Sequence, residues 1–189
     1  MKKLLLALVA ISSFAYAGTT TYTLDPTHSY VEYHYNHIGF SNPSGKWLAN
    51  GSLQLDDKKL ANSSANITIK IESIVTGIPV LDEHLKGVDF FDVTQYPTAT
   101  FVSKKVTKIK GKTFDLVGDL TLHGVTKPVT LHVTENAHKV NPISKLDTVG
   151  YSANATIKRS DFGLSAYVPA VSDEVSLNIE LEAAKADKQ

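Results

Sequence analysis

The chain has 189 residues, with 19 basic and 19 acidic side chains and no cysteine. That balance gives no electrostatic reason to expect a nucleic-acid partner. The lack of thiols removes thiolate catalysis and cysteine-ligated metal, and the length suits one domain with a sizeable core.

Residues 1–17, MKKLLLALVAISSFAYA, read as a secretory signal peptide. Two lysines precede an apolar run, and Ala15-Tyr16-Ala17 supplies an A-x-A cleavage site. The run is short for a bilayer span. The expectation is an exported, periplasmic chain starting near Gly18. It comprises one domain over 18–183 and a frayed polar tail over 184–189.

Beyond the leader, alternation with period two dominates, as in half-buried strands. Val31, Tyr33 and Tyr35 alternate with Glu32, His34 and Asn36. Trp47, Leu53 and Leu55 share a parity, as do Ile67, Ile69 and Ile71. The segment PVLDEHLKGVDFF (79–91) is the one helical stretch, with Leu81, Leu85 and Val88 at helical spacing. Strand patterns resume at PTATFVSKKVTKI (97–109), then at Leu116, Leu120 and Leu122, and at Val129, Leu131 and Val133. Tyr151, Ala153, Ala155 and Ile157 form the next set, and Val175, Leu177, Ile179 and Leu181 the last. Turn-rich pieces such as NPSG, DDKK, KGK and HGVTKP separate them. Roughly eight antiparallel strands and one short helix predict an all-β domain, either a closed barrel or a sandwich.

The stretch THSYVEYHYNHIGF (27–40) concentrates three histidines. On one strand His34 and His37 face opposite sides. His28 and His34 share a side, but six residues separate them by about 20 Å. Zinc-bound imidazoles lie about 2 Å from the metal, so one extended strand here cannot build a metal site, and none is expected. His34 and His132 read as solvent-facing. His37 shares the inward parity of Tyr33 and Tyr35, at the mouth of a barrel. The acids and histidine around the helix (Asp82, Glu83, His84, Asp89, Asp92) fit a solvated, capped helix face more simply than an acid/base site.

Small residues recur on the inward parity: Ala49, Gly51, Ala65, Ala99, Gly118, Ala153 and Ala155. Interleaved with Ile, Leu, Phe and Tyr, they predict room for a long, thin apolar molecule, or else close packing against large neighbours. Arg159 is the one arginine in the chain. On inward parity it must be paired. Asp161, Asp25 and Asp119 are the expected carboxylate partners of a structural clamp, with an anion site as the functional alternative.

The blocks LDPTHSYVEYHYNHIGFSNPSGKW, LKGVDFFDVTQYPTATFVS, GDLTLHGVTKPVTL and IKRSDFGL resemble the YceI-like family, in that family's order and over essentially the whole chain beyond the leader. Trp47 stands where the family usually has Phe. The resemblance implies a lipocalin-like, eight-stranded antiparallel barrel whose apolar tunnel binds long-chain amphiphiles. These include polyisoprenoids such as octaprenyl diphosphate or ubiquinone, or a fatty acid or amide. It also implies export, frequent homodimers and no established catalysis, and transient contact with a membrane surface is a separate expectation for a lipid-binding chain. The residues expected along the tunnel wall and mouth are Tyr33, Tyr35, His37, Ile38, Phe40, Trp47, Ile69, Phe90, Phe91, Phe101, Leu120, Ala153, Ala155, Arg159 and Phe162. No cofactor is expected besides the lipid. The competing class is an enzyme acting on an isoprenoid-like or fatty amide substrate through His37, His84 or Asp89.

Overall fold

The computed structural model describes residues 18–186. The leader reading of 1–17, and residues 187–189 of the tail, lie outside these. Nine strands run β1 (Thr20–Leu24), β2 (Tyr30–His34), β3 (Ser44–Leu55), β4 (Ser64–Lys70), β5 (Thr98–Lys110), β6 (Thr113–Leu122), β7 (Val125–Val140), β8 (Asp147–Lys158) and β9 (Glu174–Lys185). Helix α1 (Pro79–Lys86) lies between β4 and β5.

These nine strands make eight staves of a closed antiparallel barrel. Starting from β2, each neighbour pairs in turn through β3, β4, β5, β6, β7, β8 and β9, and β9 pairs back to β2. The strand absent from the sequence reading, β1, shares the stave of β2. It pairs with the far half of β3 (Tyr22 opposite Leu53) and with the end of β9 (Leu24 opposite Ala183). The break between β1 and β2 is closed by Ser29, which is fully buried. Its hydroxyl donates to the Glu182 carbonyl at 3.1 Å and accepts from the Glu182 N–H at 3.2 Å. Pairing with β1 also carries β9 out to Lys185. Residues 184 and 185, read from their polarity as a frayed tail, are therefore strand, and Ala183 beside them is fully buried.

Alternation places the core as expected. Val31 and Tyr33, Trp47 and Ala49, Ile67 and Ile69, and Leu177 and Ile179 are all buried, with more exposed residues between them. Turns follow local chemistry. His123 and Gly124 both take positive φ, at 51° and 74°, between the paired residues Leu122 and Val125, which is the two-residue turn that matches strand twist. Strand β7 is much longer than the apolar run 129–133 suggests, since its pairing with β6 begins immediately at that turn.

Two of the small residues serve close packing rather than free space. A Cβ at Gly118 would collide with the ring of Phe101, and one at Gly51, where φ is 139°, with the Asn66 carbonyl of β4. Helix α1 stops at Lys86, with Gly87 beyond it, so Val88 leaves the helical face and is 79% exposed.

Candidate functional site

The barrel interior is not filled. Several inward-parity side chains, among them Val129, Leu131, Ile157 and Leu181, are only half-buried because they face a hollow. Its volume is about 320 Å³, within the range of small-molecule sites. A second hollow of about 60 Å³ lies against it. Ile67, Phe101, Leu131, Ile179 and Leu181 line both, so the two hollows adjoin at these side chains, a waist between them.

The tunnel opens where its lining residues reach solvent. His37 and His84 are exposed there, and Tyr167 is 65% exposed. Three segments build this mouth. The segment that follows β2 carries Tyr35 and His37, and the His37 backbone pairs with Ser41 and Val171. Helix α1 and the turn after it supply Leu81, His84, Leu85, Phe90 and Phe91. The 164–171 loop supplies Leu164, Ala166, Tyr167 and Val171. Phe90 and Tyr167 stack across the two latter segments, with ring centroids 6.1 Å apart. Tyr33 stacks on Tyr35 at 6.1 Å and packs on Trp47 at 4.5 Å, and Trp47 meets the edge of Phe91 at 5.3 Å. Burial pushes the phenols of Tyr33 and Tyr35 up, so both are neutral donors at physiological pH.

Arg159 carries the one permanent charge among the residues lining the larger hollow. It is a clamp, but on carbonyls rather than a carboxylate. Its Nε donates to the Ser172 carbonyl at 2.9 Å, Nη1 to Leu164 at 2.6 Å and Nη2 to Val171 at 2.9 Å. None of the expected acids holds it. Asp25 accepts from Thr27 and His28, Asp119 pairs with Lys104 at 2.6 Å, and Asp161 is not among the acceptors of the guanidinium. Asp173 is the nearby acid, and it accepts the Ser160 N–H at 2.8 Å and hydroxyl at 2.7 Å. Three carbonyls turned toward one fork replace the carboxylate because the 164–172 loop folds back around the guanidinium. Desolvation pulls the Arg159 pKa down, and Asp173 and Tyr35 oppose it.

Of the residues expected along the tunnel, Tyr33, Tyr35, His37, Trp47, Ile69, Phe90, Phe91, Phe101, Leu120 and Arg159 line the larger hollow. Five do not. Ile38 and Phe40 are 52% and 89% exposed, because strand parity ends at His34 and Ile38 takes a positive φ of 57°. Phe162 is packed in the core at 2% exposure. Ala153 lines only the smaller hollow, and Ala155 is buried in the wall and lines neither. Asp89 is exposed and off the hollow. Asp82 accepts from the Thr76 N–H at 2.8 Å and its hydroxyl at 2.6 Å, which holds its pKa low, and Glu83 pairs with Lys86 at 2.8 Å. His34 sits 3.5 Å from Glu32 on the outer face, and His132 is bonded to Asp115 at 2.7 Å. The loop residues Leu164, Tyr167 and Val171 had no periodic signal. Val31, Leu131, Leu177 and Ile179 were legible as inward without being singled out.

The YceI-like domain matches residues 22–183. YceI of Shigella flexneri is 36% identical over 188 residues, covering 96% of this chain and 97% of its own. Among solved structures, the Campylobacter jejuni YceI protein superposes with a TM-score of 0.72 at 29% identity, covering 99% of this chain and 100% of that one. A polyisoprenoid-binding domain from Saccharophagus degradans shares the fold, with a TM-score of 0.65 at 19% identity over 88% of this chain and 99% of that one. With its domain matched from the first stave to the last, this chain belongs to the YceI-like family.

Proposed function

We propose that the protein binds one long-chain amphiphile, with the chain threaded into the tunnel and the polar end toward the mouth. The observation that carries this reading is the hollow of about 320 Å³ walled by aliphatic and aromatic side chains and continued past a waist into a second. Apolar cavities stay dry and take apolar guests. Burial at about 25 cal/mol per Å² of apolar surface gives a single alkyl or prenyl chain enough driving force for micromolar binding. The polyisoprenoid-binding domain of the same fold supports a prenyl chain as the guest.

The leader reading of 1–17 supports action in the periplasm, as carrier, store or scavenger. Ile38, Phe40 and Val88 are exposed apolar residues next in sequence, or nearly so, to mouth residues. Such a rim supports brief contact with a membrane during lipid exchange. The family resemblance supports a homodimer, which sedimentation velocity tests. Of the three residues of the enzyme reading, His37 and His84 line the mouth and Asp89 is off the hollow; binding is preferred to turnover because no carboxylate stands beside the two imidazoles among the lining residues.

Native mass spectrometry of protein purified from its own host, followed by extraction, tests the proposal. A stoichiometric lipid, recovered chemically unchanged after incubation, is the expected result. A protein that stays empty and takes up no fluorescent prenyl probe would defeat it.

A further inference from the structure

The two ends of the barrel differ in charge as well as in opening. The connections at the mouth, residues 35–43, 71–97, 123–124 and 159–173, carry seven acids against Lys86 and Arg159. The turns at the opposite end, residues 56–63, 110–113 and 139–147, carry Lys58, Lys59, Lys110, Lys112, Lys139 and Lys145 against Asp56, Asp57 and Asp147. All six lysines are exposed. The lysines held in ion pairs among the described residues are Lys70, Lys86, Lys104 and Lys108, none of them in these turns. Two of the three acids have partners of their own. Asp56 accepts the N–H groups of Lys58 and Lys59 at 3.0 and 2.9 Å, and Asp147 accepts the Tyr22 hydroxyl at 2.8 Å.

The β7–β8 turn adds apolar side chains to that charge. Ile143 is 91% exposed and Val140 61%, and Leu146 is exposed beside Lys145. The turn is built rather than slack. Oδ1 of Asn141 accepts the Ile143 N–H at 2.8 Å and the Ser144 N–H at 3.2 Å, and backbone bonds join Asn141 to both Leu146 and Lys145. Ile143 is thus held out into solvent with Lys139 and Lys145 to either side in the chain. A single exposed apolar residue is ordinary. Three within 140–146, on an end with an excess of lysine, match a surface that is negative outside and apolar beneath. Anionic phospholipid supplies both, with phosphates for the ammonium groups and an acyl boundary for the aliphatic tips.

We propose that the closed end docks on an anionic phospholipid bilayer, with Ile143 and Val140 entering the headgroup boundary between Lys139 and Lys145. The acidic mouth is then turned away from that bilayer, free to meet a second lipid surface. The docking does not depend on which guest fills the tunnel.

Co-sedimentation with vesicles tests it, using phosphatidylcholine alone and phosphatidylcholine with about a third replaced by phosphatidylglycerol. The protein should bind the anionic vesicles, leave the neutral ones, and be released by high salt. Lys139→Gln and Lys145→Gln together should weaken binding by about tenfold or more, the attraction expected for two lysines at such a surface. Ile143→Ser should weaken it by about fivefold. These positions are exposed, so the variants should melt as the parent does. The chain has no cysteine, so Ile143→Cys or Phe40→Cys can each carry one polarity-sensitive fluorophore. The label at 143 should shift to the blue on anionic vesicles, and the label at 40, beside the mouth, should not. A shift at 40 and none at 143 would overturn the proposal in favour of docking by the mouth rim. Equal binding to both vesicles, or to neither, would also overturn it, the second being the result expected if the basic end serves an acidic protein.

Discussion

The two ends of the barrel are built from the same staves and finished in opposite ways. At one end Tyr22, Val149 and Ala183 are all but fully buried, and nothing of the tunnel reaches them. The Tyr22 hydroxyl donates to Asp147 at 2.8 Å and lies 3.0 Å from Nε2 of His138, so its buried polar atom is satisfied. At the other end the wall residues are half-exposed to a hollow. An interior closed for stability fills its space; one kept for a guest leaves it incomplete. That contrast locates the function more sharply than any cluster of reactive residues.

The largest expected effect comes from releasing the mouth. Arg159 ties Leu164, Val171 and Ser172 together, and these hold the loop bearing Tyr167. Arg159→Lys cannot reproduce the fork and should cost about 2–4 kcal/mol, with or without lipid present. Urea unfolding measures it. An unchanged midpoint in the apo protein would mean that the loop holds itself and that Arg159 is free for a head group.

The next change fills the open end and leaves the closed one alone. Leu131 lines both hollows at the waist. Leu131→Trp should lower prenyl-probe affinity by tenfold or more, about 1.4 kcal/mol, while the barrel still folds. Ala155→Trp should behave differently, because Ala155 is packed in the wall. It should cost about 1–3 kcal/mol of stability through overpacking. If Ala155→Trp blocked binding without loss of stability, the wall would be wrongly drawn there.

The same contrast explains what the sequence could carry. Period-two alternation marks inward faces and helical spacing marks α1, so the eight staves, that helix and most of the wall were legible. Parity says nothing where strands end, which is why Ile38 and Phe40 were misplaced, or where a five-residue strand such as β1 shows only Tyr22 and Leu24 as buried apolar markers. Carbonyl partners leave no trace in side-chain identity, so Arg159 was sought beside carboxylates. Nor does a residue list reveal a missing partner. Trp47 and Tyr33 read as wall aromatics, and only three dimensions show their donors unpaired.

A smaller effect should come from unpairing the closed end. Tyr22→Phe removes a hydroxyl held by Asp147 and His138. It should lower stability by about 1 kcal/mol and leave prenyl-probe affinity unchanged, because Tyr22 is off the tunnel. Paired denaturation and binding titrations check this. An affinity change would show that the two ends are coupled.

The smallest effect belongs to the turn that joins β1 to β2. Asp25 accepts the Thr27 N–H and hydroxyl and sits 2.8 Å from Nδ1 of His28. The Thr27 hydroxyl, then His28, hold its carboxyl down at about 2 from an ordinary 3.8. A depressed folded pKa means stability present above pH 3.8 and lost as pH falls through about 2. His28 runs the other way. Asp25 raises its pKa, so its contribution is full below 6.5 and fades as pH rises through the folded value. The pair is thus strongest between about pH 4 and 6.5. The turn is solvated and screened, so Asp25→Asn should cost no more than about 0.5–1 kcal/mol at pH 5.5. The gap between wild type and variant should close as pH approaches 2 and narrow modestly above neutrality, where the Thr27 bonds remain. Chemical denaturation of both proteins from pH 2 to 8 measures it. A gap that widened on acidification would mean that the turn is held by something other than this carboxylate.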